Sequence, residues 1–336
     1  METTIDMQTN VILEGNCLET LSTLPDNSVH TCITSPPYWG LRDYGHDDQL
    51  GLEPTPEEYV QNLVEVFREV RRVLRDDGTL WLNLGDSYAS PPVGSFNGGG
   101  FKDSSGKNGG RDLSGNAQSG KMNKLVASGL KPKDLVGIPW MVAFALRKDG
   151  WYLRQDIIWN KPAVMPESVQ DRCTKSHEYI FLFSKSQRYY FDSESIKEPA
   201  ISTDTSTRNR NATKMNNTPG RTKMGGLTTN HYETRNKRSV WTIPTKPFKG
   251  AHFATYPPAL IEPCILAGSP EDGIVLDPFF GAGTTGLVAL ENNRQYIGCE
   301  INPEYIEIAK ERLKPVVKNI ENEKISTSIV NEYFTF

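Results

Sequence analysis

The sequence predicts an α/β fold built on a mostly parallel sheet, on the strength of three observations. A short apolar strand, Gly273–Asp277, runs into the glycine turn Gly281-Ala282-Gly283 and then into helical spacing from Thr284 to Asn292. A helix followed by a strand recurs over 55–84 and again over 135–159, which is the rhythm of a parallel sheet. Finally, Ser28–Thr34 reads as a strand that ends in Ser35-Pro36-Pro37-Tyr38, at the carboxyl edge where open α/β sheets hold ligands. With 336 residues the chain exceeds the size at which one core usually stops growing, so a large domain with a smaller inserted region is expected.

In chain order, the two prolines after Ser35 lock their own φ angles and hold the preceding residue extended, which makes a rigid platform. Neither proline donates a hydrogen bond, whereas the Pro36 carbonyl and the Ser35 hydroxyl both accept, and Tyr38 offers a flat face. Thr55 is an N-cap, Pro56 the first helical residue and Glu58 a capping-box acid. Tyr59, Leu63, Val66, Phe67, Val70 and Leu74 then share one helical face. Asp76-Asp77-Gly78 is expected to turn the chain into the strand Thr79–Leu84. Residues 94–123 hold nine glycines in thirty positions and bury little apolar surface, so a mobile loop is expected. A helix over Leu135–Lys148 ends at Gly150 and precedes the strand Leu153–Trp159, whose aromatic residues read as core. The apolar segment Ala259–Ala267 reads as a helix that buries Cys264.

The strand Gln295–Cys299 delivers Glu300 nineteen positions after Gly281, placed to accept hydrogen bonds from ribose hydroxyls. Glycine turn and acid together fit NAD, FAD or S-adenosylmethionine, and the absence of a following Gly-Lys-Ser/Thr leaves no triphosphate lysine. The Ser-Pro-Pro-Tyr motif by itself also fits a plain turn. Its chemistry is nevertheless specific. The exocyclic amine of cytosine or adenine is a poor nucleophile because its lone pair is delocalised into the ring. Two acceptors on its hydrogens favour a pyramidal nitrogen and strengthen as positive charge develops there. Together the two motifs predict methyl transfer to a DNA base.

Here the chain resembles the amino-group DNA methyltransferases of the permuted beta arrangement, in which the catalytic motif precedes the cofactor motif. The likeness is carried by Thr34-Ser35-Pro36-Pro37-Tyr38, Asp277-Pro278-Phe279-Phe280-Gly281-Ala282-Gly283-Thr284, His252-Phe253-Ala254-Thr255-Tyr256-Pro257 and Glu300, over about 1–165 and 250–314. The resemblance implies a Rossmann-like S-adenosylmethionine-dependent methyltransferase sheet with helices on both faces and an inserted DNA-recognition region. It implies a catalytic domain from 1–165 with 250–336, and a target-recognition region over 166–249. Catalysis is expected from Ser35, Pro36, Pro37 and Tyr38, with no metal. Cofactor binding is expected from Asp277, Phe279, Gly281, Gly283, Thr284, Glu300, Phe253 and Asn16, with Asp277 and Phe279 beside the methionine and adenine portions. Asn16 stands where many relatives carry Asp, yet it still donates and accepts hydrogen bonds. In that family Ser-Pro-Pro-Tyr is typical of cytosine-N4 enzymes and Asp- or Asn-Pro-Pro-Tyr of adenine-N6 enzymes. A cytosine-N4 methyltransferase is therefore expected, with the adenine-N6 enzyme as the alternative.

Charge is unevenly spread. The chain carries a net −4, but residues 201–250 hold ten Lys or Arg against two acids, a local +8 that leaves −12 elsewhere. Arg208, Arg210, Lys214, Arg221, Lys223, Arg235, Lys237 and Arg238 are the expected DNA-binding residues on double-stranded DNA. Lys102, Lys107, Arg111, Lys121 and Lys124 would meet phosphates if the glycine-rich loop closes over DNA. A non-catalytic DNA-binding module explains the basic segment but neither motif, and an oxidoreductase leaves Ser35–Tyr38 without a role. A cytosine-C5 enzyme would use Pro263-Cys264, against the buried helix expected there. The longest apolar run, Trp140–Leu146, is too short to span a bilayer. Five isolated cysteines suggest neither a zinc site nor disulfides and favour a reducing cytoplasm. A monomer or homodimer with a cognate restriction endonuclease completes the expectation.

Overall fold

A computed structural model describes residues 7–41, 48–89, 129–200, 233–245 and 255–334, with side chains of the last helix described to residue 320. Residues 94–123, expected to form a mobile loop, Phe253 and the basic residues Arg208, Arg210, Lys214, Arg221 and Lys223 lie outside the described residues.

The strands are β1 (Val11–Glu14), β2 (Val29–Thr34), β3 (Leu74–Leu84), β4 (Tyr152–Asn160), β5 (His177–Ser184), β6 (Glu198–Pro199), β7 (Thr234–Arg235), β8 (Val240–Thr242), β9 (Ile274–Asp277) and β10 (Gln295–Glu300). The helices are α1 (Cys17–Ser22), α2 (Pro56–Val73), α3 (Ile138–Lys148), α4 (Pro258–Gly268), α5 (Thr284–Glu291) and α6 (Pro303–Phe334). Among the described residues the main sheet has eight strands in the order β1-β10-β9-β2-β3-β5-β4-β8, and β6 pairs only with β7. β5 runs antiparallel to both of its neighbours and every other pairing in the main sheet is parallel.

Strand side chains alternate between two cores, as a period of two demands. Leu80, Leu82 and Leu84 of β3, with Phe181 and Phe183 of β5, meet α2 and α3 on one face. Trp81, Ile180 and Leu182 meet α4, and α5 and the start of α6 cover the same opposite face. Helices therefore cover both faces, as expected. α2 begins as its sequence predicts, with the Thr55 hydroxyl accepting from the Glu58 amide, a cap that stabilises a helix by about 1 kcal/mol.

Three expectations need correction. Asp76-Asp77-Gly78 does not separate helix from strand: β3 starts at Leu74, and the tripeptide is accommodated by a register shift opposite β2. Propensity favours a turn there, but the Gly78 and Asp77 carbonyls are taken by the Lys185 and Tyr190 amides. Second, the 166–249 region is not separate from the sheet, because β5 within it is an interior strand paired with β3 and β4. Its apolar run Ile180–Phe183 is buried on both faces and so lacks the clean in-out alternation of a half-exposed strand. Third, α3 begins at Ile138, since Leu135 is held in an isolated bridge to Tyr88.

Candidate active site

Sheet order decides what meets what. β2 lies between β9 and β3, so the carboxyl ends of β2 and β9 adjoin although the Thr34 hydroxyl and the Asp277 carboxylate it donates to, at 2.6 Å, are 243 residues apart. β9 leads into a helix on one face and β2 leads toward a helix on the other, which opens a crevice at the strand ends. A cavity of about 460 Å³ occupies it, a size suited to a small-molecule ligand.

One end of this cavity is lined by Asn16, Phe279, Gly281, Thr284 and Glu300. Gly281 and Gly283 have φ of +52° and +75°, a left-handed backbone that glycine adopts without strain. Glu300 Oε2 accepts the Gly281 amide at 2.7 Å and Oε1 accepts the Asn302 amide at 2.9 Å, so the acid is oriented and still has lone pairs for a ligand. Burial raises the Glu300 pKa, opposed by those two backbone amides. Arg312 of α6 braces the turn by donating to the Ala282 carbonyl at 3.1 Å and the Thr284 hydroxyl at 2.7 Å. Asn16 caps α1 by accepting the Leu18 amide at 2.9 Å.

The other end is lined by Ser35, Pro36, Pro37 and Tyr38, together with Asn83, Trp159, Lys161 and Glu178. The Tyr59 hydroxyl of α2 holds the Pro37 carbonyl at 2.7 Å, which pins the proline platform to the sheet's helical layer. A Cβ on Gly85 would lie 2.5 Å from the Tyr38 ring, so this glycine is the floor on which Tyr38 rests.

Two expected ligand residues stand elsewhere. Asp277 is only 1% exposed and lies in the wall behind the cavity. Oδ1 accepts from Thr34 and from the Phe279 amide at 3.0 Å; Oδ2 accepts from Tyr256 at 2.9 Å and Thr285 at 2.5 Å. Burial raises its pKa against the pull of these donors. Its acceptor positions are filled by protein, so it fastens β9 to β2 and α5 instead of facing a cofactor. Gly283 likewise serves packing: its Cβ position is 3.0 Å from that of Ala309. Of the basic residues described, Arg235 and Arg238 both pair with Glu198, at 2.8 and 2.7 Å, and Lys237 lies 5.0 Å from the Trp241 ring centre. Cys264 is buried on α4, and burial pushes its thiol pKa far up.

Asn83, Lys161 and Glu178 were not found by sequence reasoning. Each sits at a strand end facing the crevice, but no spacing marks them, and only the β3-β5-β4 pairing draws them together.

Residues 29–311 match the family model of the N6/N4 DNA methylases. The chain is 47% identical over 311 residues to the Type II methyltransferase M.XycI of Xanthomonas campestris pv. cyanopsidis, covering 93% of this chain and 90% of that one. It is 48% identical over 303 residues to M.SmaI of Serratia marcescens, covering 90% of each. Among solved structures, the PvuII cytosine-N4-specific DNA methyltransferase shares the fold with a TM-score of 0.57 at 19% identity, covering 94% of each chain. The S-adenosyl-L-methionine complex of TTHA0409 from Thermus thermophilus does so with a TM-score of 0.53 at 22% identity, covering 91% of this chain and 95% of that one.

Proposed function

The chain belongs to the DNA methylase family of N6 and N4 enzymes, and from that membership we propose that it methylates the N4 amine of cytosine at a specific site in double-stranded DNA. The observation that carries this reading is one cavity bounded by Ser35-Pro36-Pro37-Tyr38 at one end and by Gly281, Thr284 and Glu300 at the other. S-adenosylmethionine, the cofactor of the family, supplies an electrophilic methyl on a sulfonium. The residues present fit it: Glu300 is a buried, oriented acid for ribose hydroxyls, and the left-handed Gly281 lets backbone approach a ligand closely. Phe279 and Asn16 complete that end.

At the other end the target base, extruded at a cost of about a few kcal/mol, stacks on Tyr38. Ser35 Oγ and the Pro36 carbonyl accept the two amine hydrogens, turning the nitrogen lone pair toward the cofactor end. The basic residues from Arg208 to Arg238 contact phosphates and read the target sequence. Ser35 in the tetrapeptide is the feature that favours cytosine over adenine. The relatives named Type II methyltransferases support a cognate endonuclease and a cytoplasmic setting.

Incubation with S-adenosylmethionine and mixed-sequence DNA, followed by digestion to nucleosides and mass spectrometry, tests the reading. N4-methylcytosine is expected. N6-methyladenine keeps the mechanism and overturns the base; 5-methylcytosine transfers the chemistry to Cys264. Ser35→Ala is expected to lower turnover by about a hundredfold with cofactor affinity unchanged.

A further inference from the structure

The connection from β4 to β5, residues 161–176, rises from the rim of the cavity. β4 and β3 both run antiparallel to β5, and β2 runs parallel to β3, so β4 ends on the edge of the sheet where Ser35 follows β2. Its two ends are closed on each other: the Lys161 amide donates to the Ser176 carbonyl at 2.8 Å, and the Lys161 ammonium pairs with Glu178 Oε1. The other oxygen of Glu178 accepts the Tyr38 hydroxyl at 2.9 Å, which fastens the loop beside the ring assigned to stack on the target base. Trp159, Lys161 and Glu178 all line the cavity.

Met165 stands on this loop and is 88% exposed, more than any other large apolar side chain among the described residues. Four residues separate it from Lys161, a span of at most about 14 Å of extended chain. The loop that carries it is braced. Arg172 donates to Glu167 at 2.5 Å and to the Cys173 carbonyl at 3.0 Å, and its guanidinium lies 3.8 Å from the Tyr88 ring centre. Lys133 pairs with Asp171 at 2.6 Å, and Lys175 donates to the Asp86 carbonyl at 2.7 Å. Pro166 restricts the Met165 backbone to extended conformations. Glu167 and Asp171, the two acids of the loop, are each paired with a cation, which weakens their repulsion of phosphates.

An enzyme that acts on a base within a duplex extrudes it at a cost in pairing and stacking. Proteins that unstack DNA insert apolar side chains, methionine among them, between base steps. We propose that Met165 is such a wedge: it enters the DNA stack beside the target nucleotide and so keeps the extruded base in the cavity. The proposal rests on the reading of the chain as a DNA methyltransferase but not on cytosine, since a wedge serves whichever base leaves the stack. Entry into the stack removes from water an apolar side chain that the protein leaves exposed. The bracing around it means that little order is lost when DNA binds.

The test compares Met165→Ala and Met165→Leu with wild type in single turnover on two duplexes, one fully paired and one lacking the base opposite the target. The target is the base located by sequencing DNA that the wild-type protein has methylated. Met165→Ala is expected to slow methyl transfer about tenfold on the paired duplex. On the duplex without the opposing base, where extrusion costs less, its rate is expected within about twofold of wild type. Met165→Leu, apolar and of similar size, is expected to keep the wild-type rate on both. Cofactor Kd and the urea midpoint are expected to stay unchanged in both variants, because the side chain faces solvent in the free protein. A wild-type rate for Met165→Ala on the paired duplex overturns the wedge. So does an equal loss on both duplexes, the mark of a contact unrelated to extrusion. A wild-type protein that methylates no DNA overturns the reading of the site and the wedge with it.

Discussion

At the scale of the residue, glycines in this chain do three different jobs. Gly281 faces the cavity and Gly283 turns the backbone, but Gly286 and Gly298 make room for Phe280: a Cβ on either would lie 2.6 or 2.3 Å from its ring. That ring stacks on Tyr296 with centroids 5.4 Å apart. Gly298→Ala is therefore expected to destabilise the protein by about 1–3 kcal/mol through overpacking, measured by urea unfolding. Gly85 is different, because the ring it would strike belongs to Tyr38. Gly85→Ala is expected to lower turnover by about tenfold or more while cofactor titration stays at the wild-type midpoint, since small displacements of a positioned group are costly. Cys264 makes the opposite prediction. Its thiol is buried and leans on the Leu260 carbonyl at 3.7 Å, and burial disfavours the thiolate that C5 chemistry needs. Cys264→Ala is expected to methylate DNA at the wild-type rate.

At the scale of the element, β2 is the hinge between the two halves of the site, and its contact with β9 is only partly a ladder. Thr31 and Cys32 pair with Val275 and Leu276, and below them the His30 Nδ1 accepts the Ile274 amide at 2.9 Å. That bond requires a neutral ring. Burial first, and the Arg75 charge second, lower the His30 pKa below 6.5. The folded state therefore binds fewer protons than the unfolded state once the pH falls below the ordinary histidine range. The stabilisation is present above pH about 6.5 and is lost as the pH falls from there toward the folded-state pKa. Melting temperature is expected to drop between pH 7 and pH 5, and His30→Asn is expected to flatten that part of the profile. The start of α2 was legible in the sequence because cap and amphipathic face are both local. The bulge in β3 was not, because the carbonyls of Asp77 and Gly78 find their partners at Tyr190 and Lys185.

At the scale of the whole molecule, the net −4 divides into a local +8 over residues 201–250 and −12 elsewhere, and on the proposed function the first region would attract DNA phosphates while the rest would repel them. The logarithm of DNA affinity is expected to fall linearly with the logarithm of salt concentration. Replacing Arg208 and Arg210 by Gln is expected to reduce the slope by about 0.9 per lost phosphate contact, with cofactor affinity unchanged. The α/β class, the strand-turn-helix around Gly281, the rigid platform after Ser35 and the family could all be read from the amino acids alone. Those features rest on short-range causes: hydrophobic period, proline and glycine backbone limits, and capping. Which acid faces the cavity emerged only when the chain was folded. Asp277 and Glu300 both end strands, yet Asp277 is consumed by Thr34, Tyr256 and Thr285 while Glu300 keeps a face toward the ligand end. Folding alone also brings Asn83, Lys161 and Glu178 to Tyr38, because strand order and register join residues far apart in the chain, and a one-residue slip would turn each side chain to the opposite face.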